Sequence, residues 1–531
     1  MMVNKRFQVW LPLLFSVVMM MGIVLGYQLQ GALGGKRTNA TVNINGTASE
    51  VLELVNQKYV DRVNMDSVNF DAIQAILNRL DPHSIYIPPI RLADVNNDLR
   101  GNFKGVGIEY QIFSDTLNVL FVVDKGPAAE AGVQVGDQLI KVGDSIIAGR
   151  NMKTEDYRRF LRGEGGSVVN MTLLRNNKEV TAKVTRGIIP IPSVDAVYMA
   201  APKVGYIKLN KFAETTYIEF MQSMDKLKKL GMDGKLILDL RGNGGGVLEA
   251  AVNIADEFLE DGDMIVYTEG SKVKKKEFRS NKEGVFEKGN LVVLMDEGSA
   301  SASEVLAGAL QDNDRATIVG RRSFGKGLVQ EQFGLSDGGA LRLTIARYYT
   351  PLGRSIQKPY TNGRKAYSSE VADRFEHPDS LHNDSAYTRG KAFKTKKGKM
   401  LYDGGGITPD VYVAFDTLKY SNDVNKLFSS TTLSNFTYQY YKQNKAAVTS
   451  FKNADQFETG FQVPATTWQS LTDFSRKDSI NLAGSNEQNK HEVLLRFKSL
   501  LARQLYRNDG YFEVQNADDK TFKKALEVVA Q

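Results

Sequence analysis

Two stretches of the chain are short apolar runs that pass straight into small-residue turns and then into helices. "KLILDL" (235–240) is followed by "RGNGGG" and by a helical segment from Val247 to Leu259, in which Val247, Ala250, Ala251, Ile254 and Phe258 share one face. "LVVLMD" (291–296) is followed by "EGSA", by "SASEVLAGAL" and by a further strand, "ATIVG". A continuous apolar run has no polar side to show water, so it reads as a strand buried on both faces. Repeated strand–loop–helix units confine this region to a layered α/β fold with its site at the strand ends.

At 531 residues the chain is too long for one core. Near the N-terminus, Lys5 and Arg6 precede an apolar run from Val9 to Tyr27, long enough as a helix to cross a ~30 Å hydrocarbon core. A retained anchor and a cleaved signal peptide both fit, and both export the remainder. The expected location is the bacterial cell envelope, on the periplasmic side of the inner membrane. The chain has no cysteine, which excludes disulfides and a lipidated-cysteine anchor. A net charge of +7 is too diffuse to argue for nucleic acid.

The expected divisions are a membrane segment (1–30), a tether (31–47), a helical module (48–100), a glycine-punctuated β module (101–187), an α/β core (188–415) and a helical region (416–531). A polar excursion is expected at about 360–390. The basic run "RGKAFKTKKGK" reads either as a solvated loop or as a site for anionic partners such as lipid headgroups.

"GRRSFGKG" (320–327) fits the spacing of a phosphate-cradling loop, but Gly327 stands where a hydroxyl residue should hold magnesium. The next segments, "LVQEQF" and "ALRLTIARYY" around "LSDGG", alternate as a hairpin rather than forming the helix such a loop needs. Lys326 must serve other chemistry. Ser299, Ser301 and Ser303 lie at a strand-to-helix turn, where a nucleophile would have the next N–H and the helix dipole beside its oxyanion. "SASE" is equally a capping box. His83, His377, His382 and His491 all lie in unrelated segments, so a desolvated lysine is the candidate base.

"GVGIEYQI" and "GPAAEAGVQVGDQLIKVGD" resemble a PDZ domain of the protease-associated kind. "SASASE", "FGKG" and "GGGITPD" in this order resemble the carboxyl-terminal processing (tail-specific) proteases, over roughly Ala48 to Tyr349. The resemblance implies a crotonase-like α/β core with an inserted PDZ domain, and a Ser301–Lys326 dyad. In it Gln330 positions the amine, and the N–H groups of Ala302 and of Gly246, or else Gly245, receive the oxyanion. Gly105, Val106, Gly107 and Ile108 would bind the C-termini of protein substrates. No metal or organic cofactor is implied, while an adaptor or activator protein and a homo-oligomer stay open. The alternative of another class is an inactive PDZ scaffold for envelope protein tails.

Overall fold

The computed structural model describes residues 46–376, 390–415 and 420–531. The expected membrane segment lies outside them, and no helix among the described residues is long and apolar enough to cross a membrane. The chain divides into two units after Ile76. The first carries α1 (Thr47–Lys58) and all but the last residue of α2 (Met65–Leu77). On α1, Val51 and Leu54 stay half exposed.

In the second unit, β1 (Ile85–Ile87) and α3 (Pro89–Arg100) lead into β2 (Asn102–Gly105). Gly101 ends α3 with φ +75°, the left-handed cap that glycine adopts without a Cβ penalty. The next module contains β3 (Ile108–Phe113), β4 (Thr116–Val122), α4 (Pro127–Glu130), β5 (Gln138–Val142), β6 (Ser145–Ile146), α5 (Thr154–Leu161), β7 (Val168–Arg175) and β8 (Lys178–Thr185). Its sheet runs β3-β4-β5-β7-β8, with β6 on β5, so β3 is an edge. Leu117, Leu139, Met171 and Leu173 fill a core of its own. The chain leaves through β9 (Gly187–Pro190), which pairs antiparallel with β2, so entry and exit form one two-stranded stem.

The α/β core comes next, with β10 (Val194–Ala201), β11 (Val204–Leu209), α6 (Thr216–Lys229), β12 (Lys235–Asp239), α7 (Leu248–Asp256), β13 (Met264–Glu269), β14 (Lys276–Arg279), β15 (Asn290–Met295), α8 (Ala302–Asp312), β16 (Thr317–Gly320), β17 (Leu328–Gly334) and β18 (Ala340–Tyr349). It continues through α9 (Gly363–Glu376), β19 (Ala392–Lys394), β20 (Met400–Tyr402) and β21 (Val411–Tyr412). One sheet is ordered β10-β11-β12-β15-β16-β21 and is parallel from β11 onward. Residues from α6, α7 and α8 cover one of its faces. The second sheet, β1-β18-β13-β14, also carries β17 on β18.

The remainder is helical: α10 (Asn422–Ser429), α11 (Thr432–Gln443), α12 (Lys445–Val448), α13 (Ala454–Gly460), α14 (Thr466–Ser475), α15 (Glu487–Asp518) and α16 (Lys520–Ala530). Phe522, Ala525 and Val529 of α16 pack on Tyr206, Ile237, Val292 and Val319, so the last helix covers the other face of the parallel sheet. α15 kinks at Tyr506–Arg507, where Arg507 takes φ 63°. The kink aims the Arg507 guanidinium at Glu109 of β3 (2.7 Å) and sets it 3.6 Å above the Phe121 ring. Phe113 stacks on Tyr438 of α11 beside this contact.

One expectation needs revision. Part of the polar excursion is the helix α9, in which Arg374 is buried and donates to the carbonyl oxygens of Arg322 and Ser323. Its polar residues serve internal hydrogen bonds, which is why apolar periodicity does not reveal it; residues 377–389 lie outside the described residues. The basic run stays largely at the surface, with some of its lysines paired. Lys396 and Lys399 pair with Asp263 and Asp410, and Lys397 donates to the Asp314 carbonyl oxygen.

Arg354 is the largest fully buried side chain. Its guanidinium bonds Asp312 (2.6 and 3.0 Å) and Gln311 (3.1 Å) at the end of α8. Arg354→Ala leaves the Asp312 carboxylate buried without its cation. Chemical denaturation should show a loss of about 3–5 kcal/mol.

Candidate active site

The loops after β12 and β15 meet at the ends of those adjacent parallel strands. Asn243, fully buried in "RGNGGG", joins them. Its carbonyl oxygen accepts from Ala300 N–H (3.0 Å) and Ser303 Oγ (2.9 Å), and its side chain donates to the Leu209 carbonyl oxygen and accepts from Gly245 N–H (2.9 Å). Asp239 and Arg241 at the start of the loop are structural. Arg241 and Tyr206 bond the buried carboxylate, and against the upward push of burial Arg241 and Lys208 hold it below the ordinary carboxylate range.

The three serines of "SASASE" separate by surroundings. Ser299 Oγ donates to the Leu240 carbonyl oxygen and Ser303 Oγ to that of Asn243, and both are fully buried. Ser301 lines a cleft of about 620 Å³ together with Lys326, Gln330, Gly244, Gly245, Gly246, Ala302, Arg342 and Tyr348. Its backbone sits at φ 56°, ψ −113°, a region costing a non-glycine residue roughly 1–3 kcal/mol.

Glu304 completes the capping box and does more. Its fully buried carboxylate accepts from Ser301 N–H (2.8 Å), Ser323 Oγ (2.5 Å), Gly325 N–H (2.7 Å) and Lys326 N–H (2.9 Å). Burial pushes its pKa up, against those donors. Tyr348 of β18 adds a second tie, its hydroxyl donating to the carbonyl oxygens of both Ser301 and Lys326.

Lys326 is half-buried, and its Nζ donates to Gln330 Oε1 (2.9 Å). A register shift between Val329 and Gln330 in the β17–β18 pairing interrupts the alternation there, as bulges that re-aim side chains do. Burial pulls the Lys326 pKa down and the nearby Arg342 lowers it further, while Glu304 and Asp81 oppose them. Among the described residues no hydrogen bond joins Ser301 Oγ to Lys326 Nζ, a looseness common in unliganded sites.

Sequence reasoning sets His83 aside as lying in an unrelated segment. The structure instead brings it to the lysine: its carbonyl oxygen accepts from Gln330 Nε2, and its ring meets Tyr367 Oη (2.7 Å). Burial, and then Lys326, push the imidazole down to about 4, so it is neutral at pH 7. Sequence reasoning misses Tyr348 and Arg342 as well; their only sequence signal is the alternation of β18. His491 is exposed and pairs with Asp518, and His377 and His382 lie outside the described residues.

In the β module, Gly107 takes φ 81° and Val106 is buried, with its carbonyl oxygen accepting from Ala128 N–H (2.9 Å). Ile108 begins the edge strand β3, and Gly105 forms an isolated bridge with Arg162 just beyond α5.

Residues 203–363 match Peptidase family S41, residues 119–175 a PDZ domain, and residues 424–508 a family of unknown function. A carboxy-terminal-processing protease of Bartonella bacilliformis is 37% identical over 314 residues, covering 58% of this chain and 71% of its own length. The chain belongs to the carboxyl-terminal-processing proteases. A relative from Picosynechococcus sp. is 36% identical over 323 residues, covering 57% of this chain and 74% of that one. A solved photosystem II D1 C-terminal processing protease is 29% identical and covers 70% of this chain and 87% of its own, with a TM-score of 0.34. This protease is thus a serine-type peptidase with a PDZ domain, in a multidomain α/β architecture.

The glycine loop makes the site testable through its backbone. At Gly246, with φ +142°, a Cβ would lie 1.9 Å from the Phe212 carbonyl oxygen, whereas at Gly244 it would meet open space. Thermal melts should show Gly246→Ala losing more than about 2 kcal/mol. Gly244→Ala should stay within about 1 kcal/mol of wild type.

Proposed function

We propose that this cleft is the catalytic centre of a serine endopeptidase with a Ser–Lys dyad, Ser301 being the nucleophile and Lys326 the general base. The observation that carries the reading is that Ser301 and Lys326 line one cleft, where the lysine has a lowered pKa and an amide oxygen to orient it. Neutral Lys326 takes the Ser301 proton, the alkoxide attacks the scissile carbonyl, and the protonated amine supplies the leaving nitrogen. Water activated by the same amine then hydrolyses the acyl-enzyme. Gln330 is the positioning residue for Nζ.

The oxyanion is assigned to the N–H groups of Ala302 and Gly246. Gly245 is less suited, since its N–H is already donated to Asn243. Among the described residues the Gly246 and Ala302 N–H groups have no such partner. The helix cap and the nucleophile are compatible roles, because the Glu304 carboxylate bonds the Ser301 backbone and leaves the hydroxyl's place in the cleft unchanged.

Substrates are held by their C-termini at the PDZ module. The terminal carboxylate meets the backbone of Gly105, Val106, Gly107 and Ile108, and the tail pairs with the free edge of β3. The core is read as crotonase-like, with the PDZ module inserted at 101–187 and the helical region beginning at 416. The protease is placed at the periplasmic side of the inner membrane, anchored by its N-terminal segment.

The test tracks cleavage of an unfolded protein ending in an apolar tail. Ser301→Ala and Lys326→Ala should each lower kcat by on the order of 10⁴- to 10⁶-fold. Amidating the tail should raise KM while kcat holds. Cleavage unchanged in both variants refutes the dyad, and tail binding without any cleavage favours the scaffold.

The charge state of Lys326 gives a second test. The rate should rise with pH along a limb below the usual lysine range. Arg342 disfavours the protonated amine, so Arg342→Gln lets Lys326 hold its proton to higher pH. The limb should move up in pH in the kcat profile.

A further inference from the structure

A glutamine that orients a lysine must itself be oriented. Its amide has an acceptor end and a donor end, and rotation about the terminal torsion exchanges them at little cost. Only the oxygen can accept from Lys326 Nζ. Gln330 Nε2 donates to the carbonyl oxygen of His83, which leaves Oε1 facing the amine at 2.9 Å. A flipped amide would set oxygen against oxygen at His83 and leave the Lys326 N–H groups without their acceptor. The side chain's useful orientation is therefore selected by one backbone carbonyl, in the turn "DPHS" (81–84).

That turn is built around Asp81. Its Oδ1 accepts from the N–H groups of His83 (2.8 Å) and Ser84 (2.9 Å) and from Thr344 Oγ1 (3.1 Å), and Oδ2 accepts from Ser84 Oγ (2.5 Å). Ser84 Oγ in turn accepts from Thr344 N–H (3.2 Å). Thr344 is the residue opposite Gln330 in the β17–β18 pairing, beside the register shift. Arg364 donates to the carbonyl oxygens of Asp81 and Ser84, at 3.0 Å each. The turn is thus clamped to the strand pair that carries Gln330, and the His83 ring fixes its other side through Tyr367 and an edge contact with Phe324.

We propose that Asp81 is a positioning residue of the active site, acting through the His83 carbonyl on Gln330 and through Gln330 on Lys326. The proposal rests on Lys326 being the general base and Gln330 its positioning residue. Asp81 has a second influence, since its negative charge favours the protonated form of Lys326. The two influences can be separated. Asp81→Ala removes both, whereas Asp81→Asn keeps an oxygen for the two N–H groups, removes the charge and turns the acceptor of the Ser84 hydroxyl into a donor.

The experiment is a double-mutant cycle on the full-length protein, with kcat and KM measured on a fluorescein-labelled unfolded protein ending in an apolar tail. Thermal melts accompany every variant. Asp81→Ala should lower kcat about 10²-fold with KM little changed. In a Gln330→Ala background the same change should cost nothing further, because the residue it acts through is gone. Losses that multiply would assign Asp81 a general structural role and overturn the proposal, as would wild-type kcat in Asp81→Ala. Wild-type kcat in Gln330→Ala would overturn the lysine–glutamine reading itself, and this proposal with it. If Asp81→Ala does not fold, Asp81→Asn decides. Its plateau kcat should stay within about threefold of wild type, with the acidic limb shifted to lower pH as Lys326 loses a stabilising anion. A folded Asp81→Asn as slow as Gln330→Ala refutes the assignment, and an unmoved limb removes only the influence of the charge.

Discussion

The buried carboxylate of Glu304 is the contact on which the site depends. It lies in the first turn of α8, yet its acceptor positions are shared between the Ser301 backbone and the loop from Ser323 to Lys326. The turn after β15 and the loop that leads from β16 of the same sheet to β17 of the other are thereby fixed to one another by a single side chain. A charged group so placed is expensive to bury, and four donors are what make it tolerable. The same contact holds the N–H of Ser301, whose backbone sits in a strained conformation.

Strain at Ser301 and desolvation at Lys326 are complementary costs. The strained turn carries Ser301 into the cleft, and partial burial makes the amine give up its proton more easily. Both are unfavourable for stability in isolation, and both are held by hydrogen bonds to the backbone around them rather than by apolar packing. Tyr348 and Asn243 contribute in the same way: Tyr348 donates to the carbonyl oxygens of Ser301 and Lys326, and Asn243 donates to that of Leu209 and accepts from the Ser303 hydroxyl.

Much of this is legible in the sequence because it is local. Apolar runs ending in "RGNGGG" and "EGSASASE" give strands, turns and helix starts within a few residues of each other, and "LVQEQF" alternates over its own length. The hidden parts depend on separation along the chain. His83 reaches Gln330 across 247 positions, and Arg354 reaches Asp312 across 42. No periodicity reports such a pairing. α9 is concealed for another reason: Arg374 and Glu370 make it a polar helix facing inward, a pattern that composition assigns to solvent. The divide between the core and the C-terminal helices also reads differently in three dimensions, since Phe522 and Val529 complete the sandwich around the parallel sheet.

The helical region has two grips of unequal strength. Toward the core it holds by α16 and by Arg241, whose guanidinium links Asp239 to Asp519, all beneath or beside buried apolar surface. Toward the PDZ domain, it holds by Arg507 and Arg503 on Glu109, half exposed on both sides, by Arg507 over Phe121, by the Gln111–Asn435 hydrogen bond and by one stacked aromatic pair. Exposed ion pairs are worth about 0–1 kcal/mol each and weaken as salt rises. That side is the weaker of the two, while the sheet beneath α16 is held by buried apolar contacts. The long kinked helix thus behaves as a clasp riveted at one end and merely latched at the other, and the two-stranded stem of β2 and β9 is the tether left when the latch lets go.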